Sequence, residues 1–229
     1  MKVLGIIPAR GGSKGIPNKN RKLLGDKPLL QYTIEAALDS KKLDRVIFSS
    51  EDETLRSMAK DLGVEVPFVR PEALATDVAG SLEVVQHALG FFEERGEHFD
   101  AVCLLQVTHP FRTAKDIDKA IEKFNQLQTD SLISVIEVPH TFNPHWVFEV
   151  NENNLLKIAT GETSIIKRRQ ELPKAFIRDG AIYVTKTNVL MKGNSFYGNS
   201  ISYLELDAKK YVNIDTEEDW EKAANILKT

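Results

Sequence analysis

The sequence predicts an α/β fold built on a doubly wound, mainly parallel sheet, because short apolar runs alternate with helical patterns along most of the chain. The first run, KVLGIIP over 2–8, is continuously apolar, as in strands of a parallel sheet that are covered on both faces. Further strands are predicted over 45–50, 64–69, 101–107 and 131–138. Right-handed crossovers would place the loops that follow these strands along one edge of the sheet.

Helices are predicted in the intervals between the strands. Pro28 suits a first helical turn, and Thr113 with Asp116 forms a pair typical of a capped helix N-terminus. A late strand is predicted over 200–206, and a last helix begins near Thr216. The apolar positions at helical spacing are Leu30, Ile34, Ala37 and Leu38; Leu55, Met58, Ala59 and Leu62; Leu82, Val85, Leu89 and Phe92; Ile117, Ala120, Ile121 and Phe124; and Trp220, Ala223, Ala224 and Leu227.

The alternation breaks between 139 and 182, inside what is otherwise one domain of residues 1–229. The stretch PHTFNPHWVFEVNENNLLKI is typical of short strands separated by turns, and RRQELPKAFIRDGAIYV returns to a core-like strand. The pattern leaves two interpretations open: a β-rich arm inserted for dimerisation, or a surface excursion on a monomer.

Composition narrows the classes of protein and partner. The 229 residues are 42% hydrophobic and 28% charged, which is enough to bury a real core. A net charge of −3 argues against a nucleic-acid partner. The single cysteine, Cys103, excludes a disulfide within the chain and indicates a reducing cytoplasm. Neither a signal peptide nor an apolar run of membrane-spanning length is recognisable.

Positive charge is concentrated in one loop directly after the first strand, in the stretch IIPARGGSKGIPNKNRK (6–22). Its glycines let backbone amides approach an anion, yet the pattern is neither the dinucleotide fingerprint nor a P-loop. A solvated basic turn is the alternative, but ligands of α/β proteins bind directly after core strands, which favours polyphosphate binding. The basic residues are Arg10, Lys14, Lys19, Arg21 and Lys22.

The motif ARGGSKGIPNKN closely resembles the opening of the acylneuraminate cytidylyltransferases, also called CMP-sialic acid synthetases. The resemblance continues in family order through VRPEALATDVAGS, LLQVTHPFRT, RRQELPKAFIRDGAIYV and NIDTEEDW, and so covers nearly the whole chain. It implies a Rossmann-like nucleotidyltransferase core and a homodimer in which the arm at 139–182 reaches the partner's site. The implied reaction joins CTP to a nine-carbon 2-keto sugar acid of sialic, legionaminic or pseudaminic type, giving a CMP-sugar and pyrophosphate.

The resemblance also implies roles for individual residues. Lys19 is expected to stabilise the departing pyrophosphate, within a catalytic set of Lys19, Arg10 and Asp215. The expected nucleotide-binding residues are Arg10, Ser13, Lys14, Lys19, Asn20, Arg70 and Ser81, and the expected sugar-binding residues are Gln106, Arg169 and Tyr183.

Several of these residues also have a purely structural interpretation. Ser81 could cap a helix, and Gln106 could satisfy a buried backbone group. Arg70 could be an exposed charge at a strand end, and Tyr183 could be a core residue with a hydrogen-bonded hydroxyl. His109 and His140 are general-base candidates by residue type alone.

A triphosphate needs a divalent cation, so Mg²⁺ or Mn²⁺ is expected as cofactor. Asp215 and Asn213 alternate as neighbours on one strand face would, and they are the expected metal ligands. The family pattern commonly has a second aspartate where this chain has Asn213, which lacks the negative charge. Alternatively, Asp215 belongs with Thr216 and Asp219 to the cap of the last helix.

A second departure lies in KAFIRDGAIY, where relatives often read phenylalanine–arginine–proline–asparagine–glycine. The arginine has moved by one residue to Arg178, which in an extended strand changes the face it occupies. Sugar contacts from this stretch are therefore open. Two other functions also stay open: a cytidylyltransferase for an eight-carbon, KDO-type sugar acid, and a nucleotide-sugar-binding protein without catalysis.

Overall fold

The computed structural model describes residues 1–12, 15–76 and 78–228. The strands are β1 (Val3–Pro8), β2 (Leu23–Leu24), β3 (Lys27–Pro28), β4 (Arg45–Ser49), β5 (Ala101–Leu104), β6 (Ser131–Glu137), β7 (Phe148–Val150), β8 (Leu156–Ile158), β9 (Phe176–Lys186) and β10 (Ile201–Glu205). The helices are α1 (Leu29–Leu38), α2 (Glu53–Asp61), α3 (Ser81–Glu93), α4 (Ala114–Leu127), α5 (Thr187–Met191) and α6 (Glu217–Ile226).

Six of the described strands form the central sheet, in the order β10–β6–β9–β5–β1–β4. Strand β1 is parallel to both β4 and β5, and β10 is parallel to β6, whereas β9 runs antiparallel to β5 and β6. The predicted doubly wound, mainly parallel sheet is therefore confirmed. Strands β4 and β5 lie on opposite sides of β1, so the strand order reverses direction at β1. Such a switch point opens a crevice at the carboxyl ends of the strands.

Strand β1 is apolar throughout because it is covered on both faces. Leu4 and Ile6 pack in a cluster with residues of α3, while Val3 and Ile7 pack in a second cluster with residues of α1 and α4. Each fully buried side chain of this size contributes about 1.5–3 kcal/mol relative to an exposed one. The strand that precedes the basic loop is thus held firmly from both sides.

The predicted strand over 64–69 is wrong. Within this stretch only Glu65 forms a bridge, an isolated parallel pairing with Ile47. Pro67 lacks the N–H group that a ladder needs, which explains why pairing does not continue.

The segment that interrupts the alternation is shorter than the predicted range of 139–182. It contains 3₁₀ turns and the antiparallel hairpin of β7 and β8. Residues 176–182 instead belong to β9, because Phe176, Ile177 and Arg178 already pair with β6 in the central sheet. We use the term arm for residues 139–175.

Both predicted helix caps are present. Thr113 and Asp116 form a reciprocal capping box on α4, and Thr216 and Asp219 form one on α6. Asp219 also accepts a hydrogen bond from the backbone N–H of Asp215 (3.1 Å), which fixes that residue just before the helix. No helix in the described parts of the chain is long and apolar enough to cross a membrane.

Candidate functional site

A cleft of about 470 Å³ opens at the switch point of the sheet, between the loops that follow β1 and β5. It brings together residues from four separate stretches of sequence, within 8–20, 70–84, 106–108 and 213–215. The predicted site residues that line it are Arg10, Lys19, Asn20, Arg70, Ser81, Gln106, Asn213 and Asp215. The predictions for Ser13 and Lys14 fall outside the described residues.

Lys19 carries the positive charge at the floor of the cleft. It begins a short 3₁₀ turn after β1, and only 9% of the residue is exposed. Its Nζ atom donates to the carbonyl oxygen of Ile214 (2.5 Å) and to Oδ1 of Asp215 (2.9 Å). The neighbouring Asn20 donates from its side chain to the carbonyl of Arg10 (2.9 Å), so it supports the loop from within.

Asp215 lies next to Lys19 in the lining of the cleft, and its side chain is 59% exposed. While Oδ1 accepts from Lys19, Oδ2 accepts from the amide nitrogen of Asn213 (2.7 Å). Both carboxylate oxygens therefore have a donor supplied by the protein. Asp215 is also the only acidic residue that lines the cleft within the described part of the chain.

Arg70 is not an exposed strand-end charge, because only 4% of it is exposed. Its Nη2 atom donates to the carbonyl of Ala9 and to Oε2 of Glu51 (2.8 Å), while Oε1 of Glu51 accepts from the backbone N–H of Gly11 (2.7 Å). Burial lowers the pKa of Arg70, and the neighbouring Glu51 opposes that effect. The ion pair thus supports the start of the basic loop from below, and Arg70 Nε has no hydrogen-bond partner among the described residues.

Ser81 and Gln106 both line the cleft. The N-cap of α3 is Gly80, so the interpretation of Ser81 as the cap is wrong. The backbone carbonyl of Gln106 accepts from Arg112, a buried residue that also donates to the carbonyl of Ala181 (2.8 Å). Burial lowers the pKa of Arg112 to about 10.

Tyr183 lies beneath the cleft rather than in its wall. It is 5% exposed and packs in the apolar cluster that contains Leu104, its partner across the sheet. Its hydroxyl accepts a hydrogen bond from Arg178 (3.2 Å), which also lies close to Tyr197. The interpretation of Tyr183 as a core residue with a bonded hydroxyl fits this geometry, and Arg178 is the charged group above it.

Arg169 is not brought to the cleft within one chain. It lines a separate pocket of about 430 Å³ on the arm, together with His140 and Asn143. The other candidate base, His109, is buried next to the cleft and does not line it. Burial, reinforced by Arg112, lowers the pKa of His109 to about 3, so the imidazole is neutral at physiological pH. Neither histidine is positioned as a general base in the cleft.

Glu51 and Arg112 are the site residues that sequence reasoning missed. Each lies in the loop after a core strand, at the edge of the sheet where the cleft forms. That position in the sequence is the one signal that indicates them as site residues. Their partners lie far away in sequence, at Arg70 for Glu51 and at Ala181 and Thr33 for Arg112. Such pairs depend on the folded arrangement and leave no local pattern.

No cluster of three or more histidine, cysteine, aspartate or glutamate side chains suited to a metal occurs in the described ranges 1–12, 15–76 and 78–228. Among the described residues the cleft offers one carboxylate, from Asp215, and the amide of Asn213 lies beside it. Magnesium in phosphate-binding sites commonly takes one or two carboxylates and completes its shell with phosphate oxygens and water. The donor set therefore fits an ion bound together with a polyphosphate.

Comparison with known proteins gives a consistent result. A family model described as cytidylyltransferase matches residues 4–222. The chain is 36% identical over 228 residues to a pseudaminic acid cytidylyltransferase of Campylobacter jejuni, covering 100% of this chain and 97% of that protein. It is 33% identical over 222 residues to a CMP-N,N'-diacetyllegionaminic acid synthase of Legionella pneumophila, covering 96% and 94%.

A third relative is an N-acylneuraminate cytidylyltransferase of Escherichia coli, 33% identical over 227 residues; this chain spans 52% of that longer protein. Among solved structures, a CMP:2-keto-3-deoxy-manno-octonic acid synthetase complexed with CTP has a TM-score of 0.74 at 17% identity, covering 100% of this chain and 99% of that one. A 4-diphosphocytidyl-2C-methyl-D-erythritol synthase from Anaerococcus prevotii has a TM-score of 0.68 at 12% identity, covering 100% and 96%. These two likenesses establish the shared α/β fold.

Proposed function

The chain belongs to the cytidylyltransferase family, and from that premise we propose that it transfers CMP from CTP to the anomeric hydroxyl of a nine-carbon 2-keto sugar acid. Pyrophosphate is the second product. The observation that carries this proposal is the cleft in which Lys19 and the first glycine loop meet Asp215. The named relatives act on pseudaminic, legionaminic and acylneuraminic acids, and all three are candidate substrates here.

The proposed reaction is an in-line displacement at the α-phosphorus of CTP. An oxygen–phosphorus bond forms to the sugar hydroxyl oxygen, whose proton passes to water. The bond from phosphorus to the bridging oxygen breaks, and the negative charge that develops leaves with pyrophosphate. Positioning and charge stabilisation supply most of the rate enhancement in such transfers. Lys19 and Arg10 are the cleft cations suited to the leaving group.

On the nucleotide side, Ser81 and Asn20 are two of the neutral donors that line the cleft. The backbone N–H of Gly11 is not available for phosphate, because it already bonds to Glu51. We therefore assign Gly11, Glu51 and Arg70 to the support of the loop, and Arg10, Lys19 and Ser81 to contact with CTP. Ser13 and Lys14 keep their sequence-based assignment to the phosphates.

For the cofactor we propose Mg²⁺ or Mn²⁺, with Asp215 as its charged ligand and the phosphate oxygens of CTP and water as the others. The sequence-based hypothesis adds Asn213 to this set. When bound, the ion neutralises phosphate charge and orients the displacement. Asp215 is well suited to this role because its backbone is fixed by Asp219.

On the sugar side, Gln106 lines the cleft and offers both a donor and an acceptor. Arg178 and Tyr183 form a hydrogen-bonded pair near the same edge of the sheet, so Arg178 is the cation that we expect to meet the sugar carboxylate. Arg169 lies on the arm and can contribute only if the arm of a second subunit reaches this cleft.

We propose that the protein is a homodimer held in part by the arm. Large apolar residues are unusually exposed there: Phe142 at 69%, Val150 at 64%, Leu155 at 63% and Leu156 at 68%. Apolar side chains concentrated on one short segment indicate an interaction surface, because monomers rarely expose contiguous apolar patches. A second copy of the arm or core would cover them.

The activity is tested by pyrophosphate release from CTP with Mg²⁺ and a panel of 2-keto sugar acids. We expect turnover with at least one nine-carbon acid and none with the eight-carbon acid. Turnover with the eight-carbon acid alone would favour the KDO-type alternative. CTP binding without turnover of any acid would favour the non-catalytic alternative.

Lys19→Ala tests the leaving-group role in the same assay. Removing one preorganised charge from a developing anion lowers kcat by about 10²–10³. Lys192→Ala removes the same group from an exposed position after α5 and is the matched control. Equal activities for the two variants would contradict the assignment of Lys19.

A further inference from the structure

Both oxygens of the Asp215 carboxylate accept a hydrogen bond without any ion. Its Oδ1 accepts from the ammonium group of Lys19 at 2.9 Å, and its Oδ2 accepts from the amide nitrogen of Asn213 at 2.7 Å. The amide nitrogen can only donate, so the group that Asn213 directs at Asp215 cannot ligate a metal. Asn213 therefore orients the carboxylate that we assign to the cofactor.

This arrangement disfavours a cation bound to the protein alone. The only acidic side chain along the described cleft is already compensated by Lys19, whose positive charge also repels an approaching divalent ion. An ion would have to share a carboxylate that already accepts from two donors, and it would find no second carboxylate among the described residues of the cleft. Divalent ions bind more weakly as the number of charged ligands falls.

A bound triphosphate makes the cleft more favourable for a divalent ion. Its negative charge offers Lys19 a stronger partner than Asp215, which leaves Oδ1 open, and its oxygens supply further ligands for the ion. We propose that the cleft has no resident divalent ion, that the ion enters only together with the nucleotide, and that Asn213 is a positioning residue for Asp215. This inference rests on the proposed function and adds the order of binding.

Asn213→Asp should allow the cleft to bind a divalent ion without nucleotide. A carboxylate in place of the amide would stand within contact distance of Asp215, and two like charges so close repel each other unless a cation lies between them. We expect this variant to bind Mn²⁺ in the absence of nucleotide at least about ten-fold more tightly than the wild type. It should also melt at a lower temperature in EDTA and recover in Mn²⁺.

The experiment titrates Mn²⁺ into nucleotide-free protein and follows the free ion by electron paramagnetic resonance. Wild type, Asn213→Asp and the control Asn125→Asp are compared, since Asn125 is exposed on α4, outside the arm and outside the lining of the cleft, and the control adds the same charge. CTP affinity is then measured by calorimetry in EDTA and in Mn²⁺. We expect negligible Mn²⁺ binding by wild type and control, and at least about ten-fold tighter CTP binding in Mn²⁺ for the wild type.

Tight Mn²⁺ binding by nucleotide-free wild type would overturn the inference. So would equal CTP affinity in EDTA and in Mn²⁺, or an Mn²⁺ affinity of folded Asn213→Asp no higher than that of the control. If Asn213→Asp does not fold, the inference is tested by the wild type alone, through its Mn²⁺ affinity without nucleotide and its CTP affinity in EDTA and in Mn²⁺. A wild type that turns over sugar acid yet binds Mn²⁺ without CTP refutes only this inference, whereas a wild type without CTP affinity refutes the proposed function itself.

Discussion

Gly15 lies so close to the backbone of Asp215 that a Cβ atom on residue 15 would come within 2.0 Å of the Asp215 carbonyl oxygen. The loop after the first strand and the segment before the last helix therefore form one continuous wall of the cleft. Glycine is required here by the approach of two main chains, in addition to any contact between loop amides and phosphate.

Gly15→Ala should push the loop after β1 away from the segment that contains Asp215, because the backbone oxygen of Asp215 cannot move aside as a flexible side chain could. We expect CTP affinity and turnover to fall by at least about ten-fold, as displacements of about 1 Å in an active site do. Gly90→Ala is the control, since Gly90 lies within α3, outside the loop, and a Cβ atom there would meet nothing described within 4 Å. Calorimetric CTP titration of both variants checks this; equal losses would show that the Gly15 contact is not what matters.

Arg70 and Glu51 should behave as a coupled pair in unfolding experiments. Both side chains are nearly buried, at 5% and 12% exposure, and their charged groups lie 2.8 Å apart. Arg70→Met leaves a buried carboxylate without its partner, which destabilises by about 3–5 kcal/mol. The double variant Arg70→Met/Glu51→Gln should recover part of that loss in urea denaturation. Additive effects of the two single substitutions would contradict the coupling.

The sequence was sufficient for the sheet and for most of the cleft, and the reasons are local. The apolar run of β1, the caps at Thr113 and Thr216, and the basic loop each leave a pattern within a few neighbouring residues. The buried supports do not, because Arg70 bonds to Ala9 and Arg112 to Ala181 only after the strands have been ordered in the sheet. The prediction placed the end of the arm too late, because Ile177 and Arg178 belong to β9 although both side chains are exposed.

The lowered pKa of His109 predicts that the free energy of unfolding falls in acid. Its folded-state pKa of about 3 lies well below the unfolded value of about 6.5, so only the unfolded chain takes up the proton between these limits. The stabilisation is complete above pH 6.5 and declines by about 1.4 kcal/mol per pH unit as the pH falls towards 3.

His109→Gln should flatten this slope, measured as the free energy of unfolding in urea between pH 7 and pH 4.5. His98→Gln changes an exposed histidine and should leave the wild-type slope intact. If His109→Gln retained the full wild-type slope, other groups would have to account for it.

Arg178 should control the affinity for the sugar acid without affecting that for CTP. Its guanidinium bonds to the buried Tyr183, which places a fixed positive charge near the end of β5. Arg178→Met would remove a charged hydrogen bond worth about 1.5–3 kcal/mol, so KM for the sugar acid should rise about ten-fold or more. KM for CTP should change less than about two-fold by the same reasoning. Arg95→Met, just beyond the C-terminal end of α3, serves as the control; a rise in KM for both substrates would point to general damage.

Subunit mixing tests whether the arm completes the partner's site. Lys19 lies in the cleft of its own chain, whereas Arg169 lies on the arm, so a shared site would take these two residues from different subunits. Lys19→Ala and Arg169→Ala homodimers should each be almost inactive. In an equal, fully exchanged mixture half of the dimers are mixed, and each has one intact site out of two by two-fold symmetry. Activity should therefore return to about a quarter of wild type.

Sedimentation must show dimers in all of these samples. The variant Leu155→Glu/Leu156→Glu, which adds charge to the exposed face of the hairpin, should give monomers. Dimers that exchange subunits without regaining activity would show that Arg169 does not serve the partner's cleft, and a monomeric wild type would rule out the shared site altogether.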